Sequence, residues 1–319
     1  MEILLYLIVS LCSKGKRVSL KIDDIKIIGV VGAGIMGHGI AQTLIQAKYS
    51  VRLTDVDKDI LEKALKLIKD GPFGLMKLVE KGKLTSNEVE DIMKKIEITT
   101  DYDEFCQDVD MVIEAVPENL EIKKKIFRLL DEKCPEKTVF ASNTSGIMIT
   151  EIATAVKRKE KLVGMHWFNP APVMPLIEVV KGSLTSIETI DLVVELSKKL
   201  GKTPIKVKDG PGFYTTRFIT AYLFEAIRIF EAGIVEINDL DEMTKLAFRH
   251  PMGPFELMDL IGLDTMLHIG EYMYSITRES QYKPPLSLRK LVLSGYIGDA
   301  RFKPGSKGGW FDYIKVANP

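Results

Sequence analysis

The sequence is poor in several features that mark large classes of protein. Only three of its 319 residues are cysteines, Cys12, Cys106 and Cys134, and their spacing matches no metal-binding pattern. An odd and small number of cysteines argues against a disulfide framework and favours a reducing compartment, so the cytoplasm is the expected location. Net charge is lacking too, because 44 basic and 44 acidic residues cancel. We therefore expect no nucleic acid, membrane or metal partner, and a small-molecule ligand instead.

Long apolar runs are also missing. Residues 3–12, ILLYLIVSLC, are apolar, but a membrane span needs about 20 such residues. No basic segment precedes this run and no small-residue cleavage site follows it, so it makes a poor signal peptide. Residues 1–24 are therefore interpreted as an N-terminal extension. We expect residues 1–17 to be an artefact of start-site assignment, with the native chain beginning at Val18 on a GTG codon.

What the sequence does contain is a regular alternation of strand and helix patterns. Segments that read as strands are IKIIGVVGAG, SVRLTDVD, KIEITT, DMVIEAV, KTVFASN and KLVGMHW. They are apolar along most of their length, which is typical of strands covered by helices on both faces. The alternation predicts the α/β class, with a doubly wound, mostly parallel sheet over residues 25–207.

Helical patterns fill the rest of the chain. In residues 117–134 the spacing predicts a helix whose buried face is formed by Leu120, Ile122, Ile126, Leu129 and Leu130. Residues 58–95 contain two charged helical segments with no strand between them, which predicts a helical hairpin that projects from the sheet. From residue 208 to 319 strand-like runs disappear, and we predict an all-α second domain.

A glycine-rich turn follows the first predicted strand. Its pattern is GxGxxG, in which glycines allow a tight turn and close approach to a pyrophosphate, while the next helix offers its positive N-terminus. Asp55 ends the following strand, where a carboxylate accepts hydrogen bonds from ribose hydroxyls and repels the 2′-phosphate of NADP. NAD is therefore the predicted cofactor, and Arg52 on the same strand is the one feature against this preference. The predicted cofactor-binding residues of this region are Gly32, Gly34, Ile35, Met36, Gly37 and Asp55.

One of only four histidines lies in GMHWFNPAPVMPLIEVV, residues 164–180. His166 ends a predicted strand, at the edge where ligands of such sheets bind. Three prolines separate it from Glu178, and they favour an irregular path that can fold the next strand back beside the first. A carboxylate that holds one imidazole nitrogen leaves the other free to exchange a proton with substrate, so the pair is a candidate general-base dyad. The alternative is a core histidine beside a structural glutamate.

These motifs together resemble the L-3-hydroxyacyl-CoA dehydrogenase family. The blocks GVVGAGIMGHGIAQ, IEAVPENLEIKKKIF, FASNTSG, GMHWFNPAPVMPLIEVV, KDGPGF and HPMGPFELMDLIGLD occur in the family's order and spacing, from about residue 25 to the end. The resemblance implies a Rossmann domain followed by a helical domain that forms a homodimer. It also implies NAD-dependent oxidation of (S)-3-hydroxyacyl-CoA to 3-oxoacyl-CoA, and the reverse reaction.

The resemblance also assigns roles to residues by position. It implies that His166 is the catalytic base, with Glu178 as its partner and Ser145 as a contributing hydroxyl. The residues that it implies for cofactor binding are Glu118, Lys123, Asn143, Ser145 and Asn169. Those that it implies for substrate binding are Ser145, Asn169 and Thr216. Thr216 replaces the family's usual asparagine, and a hydroxyl lacks the paired donor and acceptor of an amide. Gly146 replaces a common second serine. Lys303 and Lys307 are candidates for a cofactor contact.

Several points stay open on the sequence alone. Lys77, Lys81 and Lys83 could bind the phosphates of coenzyme A as point charges, or could form an ordinary solvated helix face. A related dehydrogenase acting on a free hydroxy acid or sugar acid is a second possible function. A cofactor-binding protein without turnover, of the kind recruited as a lens crystallin, is a third, and the intact catalytic residues count against it.

Overall fold

The computed structural model describes residues 20–301, 303 and 305–317. Most of the predicted extension, including the proposed start at Val18, lies outside the described residues. Contacts divide the chain into two compact units, and each is described by itself. The first comprises residues 20–144 and Ile149–Val207, and the second comprises Ser145–Met148 and residues 208–317.

The first unit is built on a single sheet. Its strands are β1 (Ile27–Val31), β2 (Ser50–Thr54), β3 (Ile96–Thr99), β4 (Met111–Glu114), β5 (Val139–Ser142), β6 (Leu162–Trp167), β7 (Leu176–Lys181) and β8 (Thr203–Lys208). They lie in the order β3-β2-β1-β4-β5-β6-β7-β8. Neighbours among β1 to β6 pair in parallel, and β7 pairs antiparallel with β6. The predicted mostly parallel, doubly wound sheet is therefore confirmed, with the reversal of strand order between β1 and β4, where such sheets bind ligands.

Helices connect these strands. They are α1 (Ile35–Gln46), α2 (Lys58–Asp70), α3 (Leu75–Glu80), α4 (Ser86–Met93), α5 (Tyr102–Cys106), α6 (Leu120–Lys133), α7 (Ile149–Ile152) and α8 (Ile187–Lys199). One apolar cluster joins the sheet to α1 and α8, and Ile28, Ile40, Leu53, Ile113 and Leu196 are completely buried in it. Burial of this apolar surface is what holds the carboxyl ends of the strands in fixed relative positions.

The insertion between β2 and β3 is helical, as predicted, but it is not a two-helix hairpin. Residues 71–74 interrupt the first charged segment, so the insertion contains α2, α3 and α4. Contacts join α1 to both α2 and α4, and Leu61, Ala64 and Ile68 of α2 lie in the same apolar cluster as the sheet. The apolar face of α2 is therefore buried against the core of the unit, while its charged face is solvated.

The structure differs from the sequence prediction in two further places, the buried face of α6 and the presence of strand β8. In α6 the predicted apolar face is wrong at Ile122, which is 42% exposed, whereas Lys123 beside it is only 1% exposed. The reason is a pair of carboxylates that receive the lysine, described below. Strand β8 was not predicted, because its sequence, TPIKVK, includes a proline and alternates apolar with charged residues. In the structure none of its six residues is buried.

The second unit is helical, which confirms the predicted all-α C-terminal region. Its helices are α9 (Thr215–Glu231), α10 (Ile237–Phe248), α11 (Pro254–Ile261), α12 (Leu263–Thr277), α13 (Leu286–Leu293) and α14 (Trp310–Ala317). The core is strongly aromatic: the Trp310 ring packs edge-on at 5.1 Å from Phe255 and 6.1 Å from Phe230. Within the described residues, no helix combines the length and the apolar character needed to cross a membrane.

Candidate active site

The glycine turn after β1 has the geometry of a pyrophosphate-binding loop. Gly32 has a φ of +94°, and a side-chain Cβ there would lie 2.6 Å from the Ala115 carbonyl oxygen. A Cβ on Gly37 would lie 1.7 Å from the Gly32 carbonyl oxygen, whereas one on Gly34 would meet nothing within 4 Å. Glycine is thus required at position 32, in the turn, and at position 37, where α1 contacts the turn. At Gly34 there is open space. The N-cap residue of α1 is Gly34, which has no side chain to accept from the first-turn N–H groups, so these groups can bind a phosphate.

The Asp55 carboxylate is fixed beside this turn. One oxygen accepts a hydrogen bond from the Ala33 N–H at 2.7 Å, and the other accepts one from the Val56 N–H at 2.7 Å. Arg52 lies on the same strand, but its guanidinium pairs with Glu97 at 3.4 Å. The guanidinium also donates to main-chain carbonyls at the end of α5 and just beyond it. The residues present therefore fit the adenosine half of NAD, with a carboxylate where the ribose hydroxyls would lie.

Lys123 and two glutamates form a buried ionic cluster at the carboxyl ends of β4 and β5. The Lys123 Nζ lies 2.7 Å from Glu114 and 3.4 Å from Glu118, and Lys123 and Glu114 are 1% and 0% exposed. Burial disfavours the charge on Lys123, but the two carboxylates outweigh it and raise the pKa of this lysine. The lysine is therefore a permanent cation inside the fold.

The same cluster ties neighbouring strands together. The Ser142 hydroxyl donates to Glu114 at 2.6 Å, and the Thr144 hydroxyl donates to Glu118 at 2.6 Å. Glu118 and Lys123 are predicted cofactor residues, but Glu114, Ser142 and Thr144 were missed. A carboxylate at the end of the otherwise apolar strand DMVIEAV was the available signal, since such a group needs a buried partner.

His166 and Glu178 are brought together by the antiparallel pairing of β6 and β7. The register places the two residues directly opposite each other. The His166 Nδ1 lies 2.7 Å from a Glu178 carboxylate oxygen, with the side chains 6% and 2% exposed. The Phe168 ring lies against the imidazole, with centroids 4.4 Å apart. This arrangement fixes the ring and directs its Nε2 away from the carboxylate, as a general base requires.

The two predicted asparagines differ in environment. The Asn143 side-chain oxygen accepts the Trp167 N–H at 2.8 Å, which ties the end of β5 to the residue after His166. Asn169 is exposed, in the loop of residues 168–175 that joins β6 to β7. Asn143 thus helps to hold the strand end that carries His166, whereas Asn169 is accessible to a ligand.

Ser145, Gly146 and Thr216 belong to the second unit. Ser145 opens the segment Ser145–Met148, in which the Gly146 carbonyl accepts the Gly212 N–H at 2.9 Å. Thr216 is buried in the first turn of α9, and a Cβ on Gly146 would lie 3.8 Å from its methyl group. The two positions at which the sequence departs from the expected pattern are therefore neighbours, and a side chain at position 146 would be in ordinary van der Waals contact with Thr216.

The remaining candidate residues have ordinary partners. Lys303 bonds to Asp264 at 2.7 Å, Lys307 donates to the Ser294 carbonyl at 3.0 Å, and Lys77 pairs with Glu80 at 2.8 Å. Cys106 and Cys134 are buried free thiols, and Cys12 lies outside the described residues. Within the described part of the chain, no group of His, Cys, Asp and Glu side chains is arranged to hold a metal ion.

Comparison with known proteins identifies the family. Residues 27–210 match the model of the NAD binding domain of 3-hydroxyacyl-CoA dehydrogenase, and residues 212–307 match that of its C-terminal domain. The chain therefore belongs to the 3-hydroxyacyl-CoA dehydrogenase family. Its cofactor is accordingly NAD, and the glycine turn described above lies within the matched NAD-binding domain.

Individual relatives extend over most of the chain. It is 43% identical over 290 residues to a probable 3-hydroxybutyryl-CoA dehydrogenase of Bacillus subtilis, covering 91% of this chain and 98% of that protein. The crystal structure of (S)-3-hydroxybutyryl-CoA dehydrogenase from Ralstonia eutropha is similar with a TM-score of 0.81 and 38% identity, over 87% of this chain and 96% of that one. An NAD+-dependent dismutase described as 5-formyl-3-hydroxy-2-methylpyridine 4-carboxylic acid 5-dehydrogenase is similar with a TM-score of 0.68 and 31% identity, over 89% and 90% of the two chains.

The buried cluster of this dehydrogenase predicts a large effect of removing Lys123. Lys123→Met keeps the stem but leaves two carboxylates beside each other without a cation, which costs about 3–5 kcal/mol of unfolding free energy. Urea unfolding at pH 8 measures this loss. Because the pKa of Lys123 is raised, its charge is present at every pH from 5 to 9.

Lys125→Met is the matched control, since this lysine is exposed on the same helix, and its effect should stay within about 0.5 kcal/mol. Equal stability of the two variants at pH 8 would contradict a stabilising role for the cluster.

Proposed function

We propose that this protein oxidises (S)-3-hydroxyacyl-CoA to 3-oxoacyl-CoA with NAD+, and catalyses the reverse reaction with NADH. The observation that carries the proposal is the buried pair His166–Glu178, 2.7 Å apart, at the carboxyl end of β6 in the sheet that also carries the cofactor loop. The names of the Bacillus and Ralstonia relatives support the substrate class. A short acyl chain, as in 3-hydroxybutyryl-CoA, is the substrate that these names favour.

The chemistry assigned to the dyad is proton transfer. NAD+, when bound, accepts the hydride from C3 of the substrate. The His166 Nε2 takes the proton of the 3-hydroxyl group, so that the oxygen electron pair can form the carbonyl bond. Glu178 holds the Nδ1–H and stabilises the imidazolium that results. In the reductive direction the imidazolium returns this proton to the oxygen. Ser145, in the second unit, is proposed as a further substrate-binding hydroxyl.

Two arrangements support NAD over NADP. Asp55 presents a carboxylate beside the glycine turn, fixed by two main-chain N–H groups, where a 2′-phosphate would be repelled. Arg52, the cation that could attract that phosphate, is occupied by Glu97 and by main-chain carbonyls.

One solved neighbour favours a second candidate function. The dismutase named above acts, according to its name, on a pyridine carboxylic acid rather than on a coenzyme A ester. A dehydrogenase of a free hydroxy acid is therefore the alternative, with the same proton transfer by His166.

Substrate and cofactor comparison with the purified protein tests these functions. We expect kcat/KM for (S)-3-hydroxybutyryl-CoA to exceed that for free 3-hydroxybutyrate and for a sugar acid by at least about 100-fold, because only the ester offers binding energy remote from the reacting carbon. NAD+ should exceed NADP+ by a similar factor. Preference for a free acid would support the alternative, and absence of turnover with every substrate would support a cofactor binder.

Removal of the proposed base should abolish most turnover but not cofactor binding. His166→Gln is expected to lower kcat by about 10²–10⁴-fold, the usual contribution of a general base, with NADH affinity by fluorescence titration unchanged. Glu178→Gln should cost less and move the acidic limb of the oxidation pH profile to lower pH, because the imidazolium loses its counter-charge.

His268→Gln serves as control, since this histidine is exposed on α12. Wild-type kcat in His166→Gln would refute the dyad, and an unchanged pH profile in Glu178→Gln would make that residue structural.

We also propose a homodimer formed through the helical unit. Large apolar side chains are exposed on α9, on the residue before it and on α10: Tyr214, Phe218, Met243, Leu246 and Phe248, each at least 60% exposed. Exposed apolar side chains of this size support an interface on these two helices. Sedimentation velocity should give a dimer that Phe218→Glu and Leu246→Glu convert to monomer, whereas Leu184→Glu, an exposed site in the first unit, leaves it intact. A monomeric wild-type protein would contradict this proposal.

A further inference from the structure

Lys202 is a buried cation of the first unit for which the reaction has no evident use. It is 8% exposed, and among the described residues no carboxylate forms an ion pair with it. Burial lowers the pKa of this lysine. Its neighbours in sequence are ordinary by comparison, because Lys199 pairs with Asp23 at 2.6 Å and Lys206 pairs with Asp191 at 2.7 Å, both at the surface. An unpaired buried ammonium group costs free energy, so its other contacts must explain its presence.

Those contacts are main-chain carbonyls of one loop. The Lys202 Nζ donates to the Ala171 carbonyl at 2.7 Å and to the Met174 carbonyl at 2.9 Å. Both residues lie in the loop of residues 168–175 between β6 and β7. The next residue, Thr203, donates its N–H to the Pro175 carbonyl at 2.7 Å. Lys202 and Thr203, the first residue of β8, therefore hold this loop at three carbonyl groups.

The loop cannot hold itself in the same way. Pro170, Pro172 and Pro175 have no N–H group. The Val173 and Met174 N–H groups both donate to the Pro170 carbonyl at 3.0 Å. The Ala171 and Met174 carbonyls therefore take their donor from outside the loop. A lysine suits this role because its ammonium group can donate up to three hydrogen bonds.

The loop also touches elements on either side. Its Pro172 ring lies 3.0 Å from the position that a Cβ on Gly39 of α1 would take, so it packs against the helix that begins at the cofactor loop. The Lys202 ammonium lies 5.7 Å from the centre of the Trp167 ring, and the Trp167 N–H is held by Asn143. The position of the loop thus depends on Lys202, on α1 and on the end of β6.

We propose that Lys202 is a positioning residue of the active site: its ammonium group fixes the loop that joins the His166 strand to the Glu178 strand and that carries Asn169. The inference rests on the proposed function, in which Asn169 lies near substrate and nicotinamide. The His166–Glu178 pair itself is held by the strand register and does not need Lys202. Loss of the ammonium group therefore displaces Asn169 while the dyad remains assembled.

Amide hydrogen exchange tests the structural half of this proposal without substrate. In Lys202→Met, which keeps the apolar stem, the amides of Val173 and Met174 should exchange at least about tenfold faster than in the wild-type protein, since a loop held by fewer bonds opens more often. Lys206→Met, at an exposed position of the strand that follows Lys202, should leave their exchange unchanged. Wild-type exchange in Lys202→Met would overturn the proposal.

A double-mutant cycle tests the catalytic half. Lys202→Met should lower kcat/KM about tenfold or more with an unchanged pH profile, and Asn169→Ala should cost clearly less in the Lys202→Met background than in the wild type, because the two residues act as one unit. Additive losses, or wild-type kcat/KM in Lys202→Met, would overturn it. All assays are run well below the unfolding midpoint of each variant.

Two complications have separate readouts. If Lys202→Met does not fold, Lys202→Gln keeps an N–H donor without the charge, and it should give exchange rates between wild type and an unprotected loop; wild-type rates would again overturn the proposal. Failure of the wild-type enzyme to oxidise 3-hydroxybutyryl-CoA would count against the proposed function alone, since the exchange experiment needs no substrate.

Discussion

The antiparallel register of β6 and β7 is the constraint on which the candidate site depends. Side chains alternate along a strand, so a slip of one residue would turn either His166 or Glu178 to the opposite face of the sheet. The adjacent pairs, Met165 with Val179 and Trp167 with Ile177, are almost completely buried. Their burial fixes the register, and the register places the imidazole against the carboxylate. Ordinary core packing therefore positions the proposed proton-transfer group.

Buried cations near the same edge of the sheet are stabilised in two different ways. Lys123 lies between Glu114 and Glu118, so opposite charges offset its desolvation. Lys202 has carbonyl dipoles instead, and dipoles compensate a desolvated charge less completely than a carboxylate does. The direction of the pKa follows this difference, since the pKa of Lys123 is raised and that of Lys202 is lowered. Lys123 also donates to the Val116 carbonyl at 3.3 Å, so both ammonium groups form hydrogen bonds with main chain.

Local pattern was sufficient for much of this fold and for part of the site. The alternation of apolar runs predicts β1 to β6, and the glycine turn with Asp55 predicts the cofactor loop, because each signal is contained in a few consecutive residues. The face of α6 was not predictable in this way. The apolar spacing favours burial of Ile122. Lys123 is buried instead because Glu114, at the end of strand β4, is its ionic partner. Strand β8 also lacks a local signal, since its side chains alternate between charged and apolar without a buried face.

The loop of residues 168–175 shows most clearly why the rest of the site needs the folded chain. Its prolines predict an irregular return between strands but remove the N–H groups that would define one path. The missing donor comes from Lys202, 31 residues beyond Ala171 and 28 beyond Met174, just before a strand that has no local sequence signal. The exposed position of Asn169 is thus set by a group outside its own motif. A sequence motif of this kind indicates candidate site residues such as His166, Asn169 and Glu178. Their positions in space also depend on contacts with residues elsewhere in the chain, such as Lys202.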